Sequence, residues 1–228
     1  ESEVETRLLD LFHVGNPTLA LYCNPGEVTA RMTVMVDRSD DGAALLDPME
    51  AEIRRRLGNA VYAEGIDAAM KSEIVRRLCE RHETIAVAES LTGGMLAAQI
   101  VDVPGASDVL IEGHVVYMNE AKERVLGVSP EILNGVGAVS EECARAMAEG
   151  ALKRSNATYA LSTTGVAGPG GGTEKTPVGT VFVALAGRDF ETRVLELHLR
   201  GDRTRIRSMS CLRALNLLRL RLDELDGR

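Results

Sequence analysis

Apolar positions recur in two rhythms along this chain, and the change between them falls near Gly65. Before it, Val4, Leu8, Leu9, Leu11 and Phe12 sit at helical spacing. Two strands are predicted next, Thr18–Cys23 and Val28–Val36, joined by the turn Asn24-Pro25-Gly26. In the second, Met32, Val34 and Val36 alternate with Thr33 and Met35, as in a sheet with one better-buried face. Asp47-Pro48 predicts the N-cap and first turn of a helix carrying Met49, Ile53 and Leu57, which Gly58-Asn59 ends. With a short closing strand, residues 1–64 read as a small αββαβ module.

From residue 65 to 228 helix and strand patterns alternate. A helix with Ile66, Met70, Ile74, Val75, Leu78 and Cys79 inward leads to a strand at Thr84–Ala88 and a helix at Thr92–Val101. A strand (Val109–Tyr117), a short helix (Glu120–Leu126) and a longer helix from Ser140 follow, the last with Met147 and Leu152 inward. Next come a strand (Ala157–Ser162), a hairpin (Val178–Ala186 with Thr192–Leu199) and a final helix, Thr204–Leu222, striped by Ile206, Met209, Leu212, Leu215, Leu218 and Leu222. This is an α/β pattern, and it predicts a three-layer domain around a mixed sheet.

Composition narrows the function classes. The 228 residues are 45% hydrophobic and 26% charged, which is globular composition. A net charge of −8 argues against nucleic acid or membrane as a non-specific partner. No apolar run approaches the ~18 residues of a membrane span and no signal peptide is visible, so a cytoplasmic location is expected. The first residue is Glu1, which suits a piece of a longer protein. Cys23, Cys79, Cys143 and Cys211 are widely spaced, without CxxC or Cys/His clusters, so reduced core thiols are expected and a metal site is not.

The candidate chemistry begins at Ala86-Val-Ala-Glu-Ser-Leu-Thr-Gly-Gly94. A strand ends here at Glu89-Ser90 and turns through Thr92-Gly93-Gly94 into a helix. The Ser90 hydroxyl and several free N–H groups are therefore expected at a helix mouth, where negative charge is favoured. Anion binding, an acyl-transfer serine and a plain N-cap all suit the pattern. A histidine base is poorly supplied. His13 and His82 fall on polar helix faces, His198 in a late strand and His114 in mid-strand. Tyr117 and Lys122, where a strand passes into a short helix, offer another base, since a lysine drawn out of water loses basicity. Thr163-Thr164-Gly165 through Gly172 is a candidate anion-binding loop. Its likeness to a P-loop fails because Glu174 stands where that motif needs glycine and a strand follows. Finally, Asp202 is placed to cap the last helix, with Arg203 or Arg205 available for a phosphate or carboxylate.

Taken together these segments resemble one family. Ala-Glu-Ser-Leu-Thr-Gly-Gly (88–94), Val-Pro-Gly-Ala-Ser (103–107), Tyr117-x-Asn119-x-x-Lys122, Leu-Gly-Val (126–128) and Gly-Ala-Val-Ser-Glu (137–141) occur in order. Thr-Gly-Val-Ala-Gly-Pro-Gly-Gly (164–171), Pro-Val-Gly-Thr-Val (177–181) and Gly-Asp-Arg (201–203) complete the set. The set is similar to the C-terminal domain of the competence/damage-inducible CinA family, the PncC-type nicotinamide-nucleotide amidohydrolases. Residues 1–64 resemble that family's KH-like middle domain, without the Gly-x-x-Gly loop with which true KH domains clamp RNA. The family's molybdopterin-cofactor-binding-like domain has no counterpart in these residues, so its metal-dependent pyrophosphatase activity is not implied.

The resemblance implies hydrolysis of the carboxamide of nicotinamide mononucleotide to nicotinic acid mononucleotide and ammonia, in pyridine-nucleotide recycling. No cofactor or metal is implied, and the partner expected is this small molecule; the apolar strands and the final helix also suit a homodimer. Carried over by motif, Ser90 is the nucleophile, Lys122 its base, and Tyr117 a proton relay or lysine partner. Thr164 and Gly165 contact the substrate or oxyanion, N–H groups near Thr92 and Gly93 stabilise the oxyanion, and Arg203 or Arg205 holds the phosphate. Leu91 stands where many relatives carry Cys or Thr. A nucleotide-binding or scaffolding module without catalysis is the alternative.

Overall fold

The computed structural model describes residues 2–37, 42–65 and 68–227, and the chain divides into two units, Glu1–Ile66 and Asp67–Arg228. In the smaller unit α1 (Ser2–Leu8) runs into a 3-10 turn (Leu9–His13). The antiparallel pair β1 (Thr18–Asn24) and β2 (Glu27–Thr33) follows, then α2 (Gly42–Leu57). Leu8, Leu11, Leu19, Met49 and Ile53 form its core.

Four expectations for this unit are corrected. β2 stops at Thr33 because the Asn16 side-chain amide stands in for a pairing strand, donating to the Met35 carbonyl at 2.8 Å and accepting its N–H at 2.9 Å. Pro48 lies inside α2, which begins at Gly42. Ala43–Leu46 are strong helix formers, and extending the helix through them outweighs the one backbone bond that proline forfeits. The closing strand is not formed among described residues 61–65. That segment is held by side chains instead, the Tyr62 hydroxyl on the Glu27 carboxylate and Val61 against the core. Cys23 is exposed, next to the turn of a two-stranded ribbon.

The larger unit contains α3 (Met70–Arg81), β3 (Ile85–Glu89), α4 (Met95–Val101), β4 (Leu110–Val115), α5 (Asn119–Leu126), α6 (Pro130–Asn134) and α7 (Glu141–Ser155). β5 (Tyr159–Gly165), β6 (Thr180–Gly187), β7 (Phe190–His198) and α8 (Arg203–Asp226) follow. The sheet order is β4-β3-β5-β6-β7. β3 is parallel to β4 and to β5, whereas the β5–β6 and β6–β7 pairs are antiparallel. This is the predicted three-layer mixed α/β architecture. On one face α3, α4 and α8 pack together, and on the other α5 and α6 pack on α7. The α7 face is built of small residues, Ala144 and Ala148 lying on Ala184 and Ala186, which lets the helix approach the sheet closely. Ser140 and Asp202 cap α7 and α8 by accepting the N–H groups of Cys143 (3.1 Å) and Arg205 (2.8 Å). Among the described residues no helix is long and apolar enough to cross a membrane.

Topology places the site. β4 and β5 flank β3, and the chain reaches them over opposite faces of the sheet, through α4 and then through α5–α7. A crevice opens outside the carboxyl ends of the strands where the chain reverses direction in this way. Ser90, the end of β4 and the glycine loop all emerge at that edge.

Candidate active site

β3 is buried at every residue, and at its end the Ser90 N–H still donates to the Thr163 carbonyl (2.9 Å). The pleat therefore continues one residue, and its alternation puts Ser90 on the α7 side with Ala86 and Ala88. The turn closes with the Gly93 N–H on the Ser90 carbonyl (3.2 Å), and Gly93 and Gly94 take φ of +60° and +91°, values that glycine adopts without strain. The expectation of free N–H groups at the α4 mouth is corrected. The fully buried Glu89 carboxylate accepts the N–H of Gly94 (2.9 Å), Leu96 (3.0 Å) and Ala97 (2.8 Å). The helix end thus already holds its own anion. Among the described residues, the Ser90 hydroxyl and the Leu91 and Thr92 N–H groups have no hydrogen-bond partner.

Lys122, on α5, is 1% exposed, and its Nζ donates to the carbonyls of Val116 (2.9 Å) and Tyr117 (3.0 Å). Val116 in turn donates its N–H to the Glu89 carbonyl (2.8 Å), so one residue ties the lysine to the strand that ends in Ser90. Burial pushes the Lys122 amine below its ordinary value, against the opposing influence of Cys143 and Glu120. Burial raises the Cys143 thiol to about 11, with the Lys122 charge working against the shift. The Tyr117 hydroxyl is on the exposed rim and accepts a bond from Arg203 (3.0 Å). Its carbonyl, not its phenol, touches Lys122.

The glycine loop leaves β5 at Gly165, where a Cβ would stand 2.6 Å from the Thr180 carbonyl oxygen. The Val166 N–H donates to that oxygen (2.9 Å), and the loop leads into β6 at Thr180, a strand and not the helix that a P-loop needs. Thr164 shares the α7 side with Ser90 by the same alternation, and its hydroxyl donates to the Ala138 carbonyl at 2.5 Å. Thr92 faces the other way, its hydroxyl 2.7 Å from that of Thr163. Arg203 bridges the glycine loop and the segment after β4, donating to the Gly168 carbonyl (2.8 Å) and the Tyr117 hydroxyl. Arg205 is exposed, its side chain lies along Gly201, and it bonds neither the glycine loop nor Tyr117. His114 meets Glu112 at 3.2 Å on β4 and no hydroxyl.

Ser90, Lys122, Tyr117, Thr164, Gly165 and Arg203 are thus placed at one edge of the sheet, with the Thr92 hydroxyl and Arg205 turned to other tasks. Two contributors escape sequence reading. Glu89 occupies the helix mouth, and Arg207, on α8, donates to the carbonyls of Leu91 (3.1 Å) and Thr92 (2.6 Å). Arg207 thereby fixes the turn that carries the unbonded Leu91 and Thr92 N–H groups. Among the described residues no group of three or more His, Cys, Asp or Glu is placed to hold a metal ion.

Comparison with known proteins agrees with this architecture. Residues 67–222 match the CinA C-terminal domain and residues 1–63 the damage-inducible protein CinA KH domain. A competence-damage inducible protein of Clostridium perfringens is 42% identical over 226 residues, covering 99% of this chain and 54% of that relative. One from Caldicellulosiruptor bescii is 44% identical over 224 residues, covering 97% and 54%. The chain therefore spans about half the length of the relatives it matches. Among solved structures, a competence/damage inducible protein of Agrobacterium tumefaciens superposes with a TM-score of 0.63 at 38% identity, covering 68% of this chain and 97% of that one. A CinA superfamily protein of Klebsiella pneumoniae gives 0.65 at 32%, covering 68% and 96%. By both domain matches and by these relatives, the chain belongs to the CinA family.

Proposed function

We propose that this protein is an amidohydrolase that cleaves the carboxamide of nicotinamide mononucleotide to nicotinic acid mononucleotide and ammonia. The observation that carries the reading is the Lys122 amine, buried, lowered in basicity and anchored to the strand that presents the unpartnered Ser90 hydroxyl. A neutral amine has two N–H donors and one lone pair. With both donors spent on the Val116 and Tyr117 carbonyls, the lone pair is what remains to accept a proton.

Ser90 Oγ attacks the carboxamide carbon while its proton passes to Lys122 Nζ. The oxyanion forms against the Leu91 and Thr92 N–H groups, whose turn Arg207 fixes. Collapse expels the nitrogen, which takes the proton from Lys122 and leaves as ammonia. Water then attacks the Ser90 ester and passes a proton to Lys122, which returns it to the departing Ser90 oxygen, so that the acid is released with the hydroxyl and the neutral amine restored. Thr164, whose hydroxyl hydrogen is spent on Ala138, meets ligand only as an acceptor, which suits a carboxamide N–H and not a carboxylate. Tyr117 relays protons at the rim, Gly165 lets the loop start tight against β6 where a side chain would strike Thr180 and Val181, and Arg203 exchanges its rim contacts for the phosphate.

Ammonia release from nicotinamide mononucleotide, followed in wild type and in Ser90→Ala and Lys122→Ala, tests this. Turnover is expected in wild type alone. Full activity in both variants overturns the mechanism, and mononucleotide binding without ammonia in wild type replaces the hydrolase by a binding module.

A further inference from the structure

Along β5 and its neighbours, the sheet face toward α7 carries hydroxyls that are mostly spent within the fold. Ser162 donates to the Ala144 carbonyl (2.6 Å) and Thr164 to that of Ala138 (2.5 Å). Thr180 joins Ser90 as an exception. It is 2% exposed, and among the described residues its Oγ1 is buried without a hydrogen-bond partner. Both of its backbone groups are engaged, the N–H on the Pro177 carbonyl (3.0 Å) and the carbonyl on the Val166 N–H (2.9 Å). A buried hydroxyl without a partner costs stability, so its presence calls for a use outside the fold.

A β-bulge aims this side chain. Pro177 to Thr180 make a tight turn with Gly179 at φ +95°, and Gly179 and Thr180 together oppose Val166, because the Gly179 N–H donates to the Val166 carbonyl (2.8 Å). Beyond the bulge the pleat alternates normally. Phe182, Ala184 and Ala186 pack toward α7, and Thr180 shares their face. Ser90 is level with Thr164, and Thr164 pairs with Phe182. Since β6 runs opposite to β5, Thr180 stands two residues nearer the crevice edge than that row. With ~4.8 Å between strands and ~3.3 Å per residue, Ser90 and Thr180 are roughly 12 Å apart along the face. Gly168, whose carbonyl binds Arg203, packs on Val178, two residues before Thr180.

We infer that Thr180 is a specificity residue of this site, its hydroxyl bonding an oxygen of the ribose phosphate while Ser90 meets the carboxamide carbon. The inference rests on the mononucleotide reading above and extends it to the far end of the substrate. From a carboxamide at Ser90, the pyridine ring and then the sugar cross the intervening row. The sugar phosphate then falls where Arg203 brings charge and Thr180 an unspent hydroxyl. That hydroxyl both donates and accepts, so a ribose or a phosphate oxygen satisfies it. Free nicotinamide is too short to reach it, so the bond favours the nucleotide over the bare amide.

Thr180→Val keeps the side-chain shape and removes the hydroxyl, whereas Thr180→Ser keeps the hydroxyl. In the full chain without ligand, Thr180→Val is expected to match or exceed the urea midpoint of wild type, because no bond within the fold is lost. The same variant should show a KM for nicotinamide mononucleotide about 10-fold higher with kcat little changed, since a contact remote from the reacting carbon is made in ground and transition states alike. Thr180→Ser should keep KM near wild type. Calorimetry with nicotinamide mononucleotide in a Ser90→Ala background, where no turnover intervenes, should give the same loss of affinity when Thr180→Val is added. A lowered urea midpoint for Thr180→Val overturns the inference, because the hydroxyl then serves the fold. Normal ammonia release with an unchanged KM removes the contact and leaves the hydrolase standing. Binding that depends on Thr180 in a wild type that releases no ammonia removes the hydrolase and leaves the contact standing. A mononucleotide that is neither bound nor turned over overturns both.

Discussion

At the scale of single residues, two buried ionisable side chains give the site its character, and each makes a measurable demand. Lys122 is held below its ordinary value of 10.5 by burial. Between its folded value and 10.5 the unfolded chain binds more protons than the folded one, so stability rises with pH across that window. Lys122→Met is expected to lose this rise, read as urea midpoints from neutral pH to about 10, and to lose ammonia release. Equal slopes in the two proteins would show that the lysine is not titrating within the fold. Activity of the wild type should climb as pH rises through the folded value and level off above it, because only the neutral amine accepts a proton. Glu89 makes the opposite demand, since three N–H groups need its charge. Glu89→Gln keeps the volume and turns an amide NH2 toward donors, so a loss of about 3 kcal/mol in unfolding free energy is expected. A variant as stable as wild type would mean that water, not Glu89, satisfies the α4 N-terminus.

Elements position these residues, and here the sequence is unevenly legible. Period and punctuation predict β3, the glycine turn, the β6–β7 hairpin and the Asp202 cap, because each is decided within a few residues. The start of α2 is not legible, since Asp47-Pro48 makes a credible helix N-terminus until the Ala43–Leu46 run is weighed against it. The end of β2 is set by an Asn16 amide 19 residues away. Arg207 is the largest omission. It reaches carbonyls 116 and 115 residues distant, and its own surroundings on α8 show only another helical arginine. Its task is to hold one turn, so Arg207→Ala is expected to lower kcat about 100-fold with little change in KM, the cost of misplacing a nucleophile by about 1 Å. A change confined to KM would assign Arg207 to substrate binding. Gly179 shows the same long-range control from the backbone side. Its φ is +95° and a Cβ would lie 1.9 Å from the Leu199 carbonyl oxygen. Gly179→Ala should therefore destabilise the chain by 1–3 kcal/mol or more, roughly the range for overpacking, in thermal or urea unfolding.

For the whole molecule, what matters is which contacts let the larger unit stand as a folding unit. Its sheet is continuous from β4 to β7, and α8 closes the sequence by returning over that sheet to α3. Arg77, with a side chain only 4% exposed, joins those helices by donating to Asp223 (2.6 Å) and Asp226 (2.7 Å). Arg219 binds the same Asp223 at 2.6 Å. A buried network of this kind adds little net stability over an apolar packing, but breaking one member leaves charge uncompensated. The residues named in the tie and in the site all fall, in sequence, between the start of α3 and the end of α8. Solved relatives matched over 96–97% of their own length cover only 68% of this chain, a share comparable to the larger unit. Residues 67–228 expressed alone are therefore expected to unfold in one cooperative transition and to release ammonia at the rate of the full chain. Arg77→Ala in that unit should lower its unfolding free energy by about 3–5 kcal/mol. If the isolated unit folds but is inactive, the smaller unit contributes to catalysis through a surface that the larger one does not contain. If it does not fold at all, the α3–α8 closure is not sufficient, and stability has to be sought in the segment that joins the two.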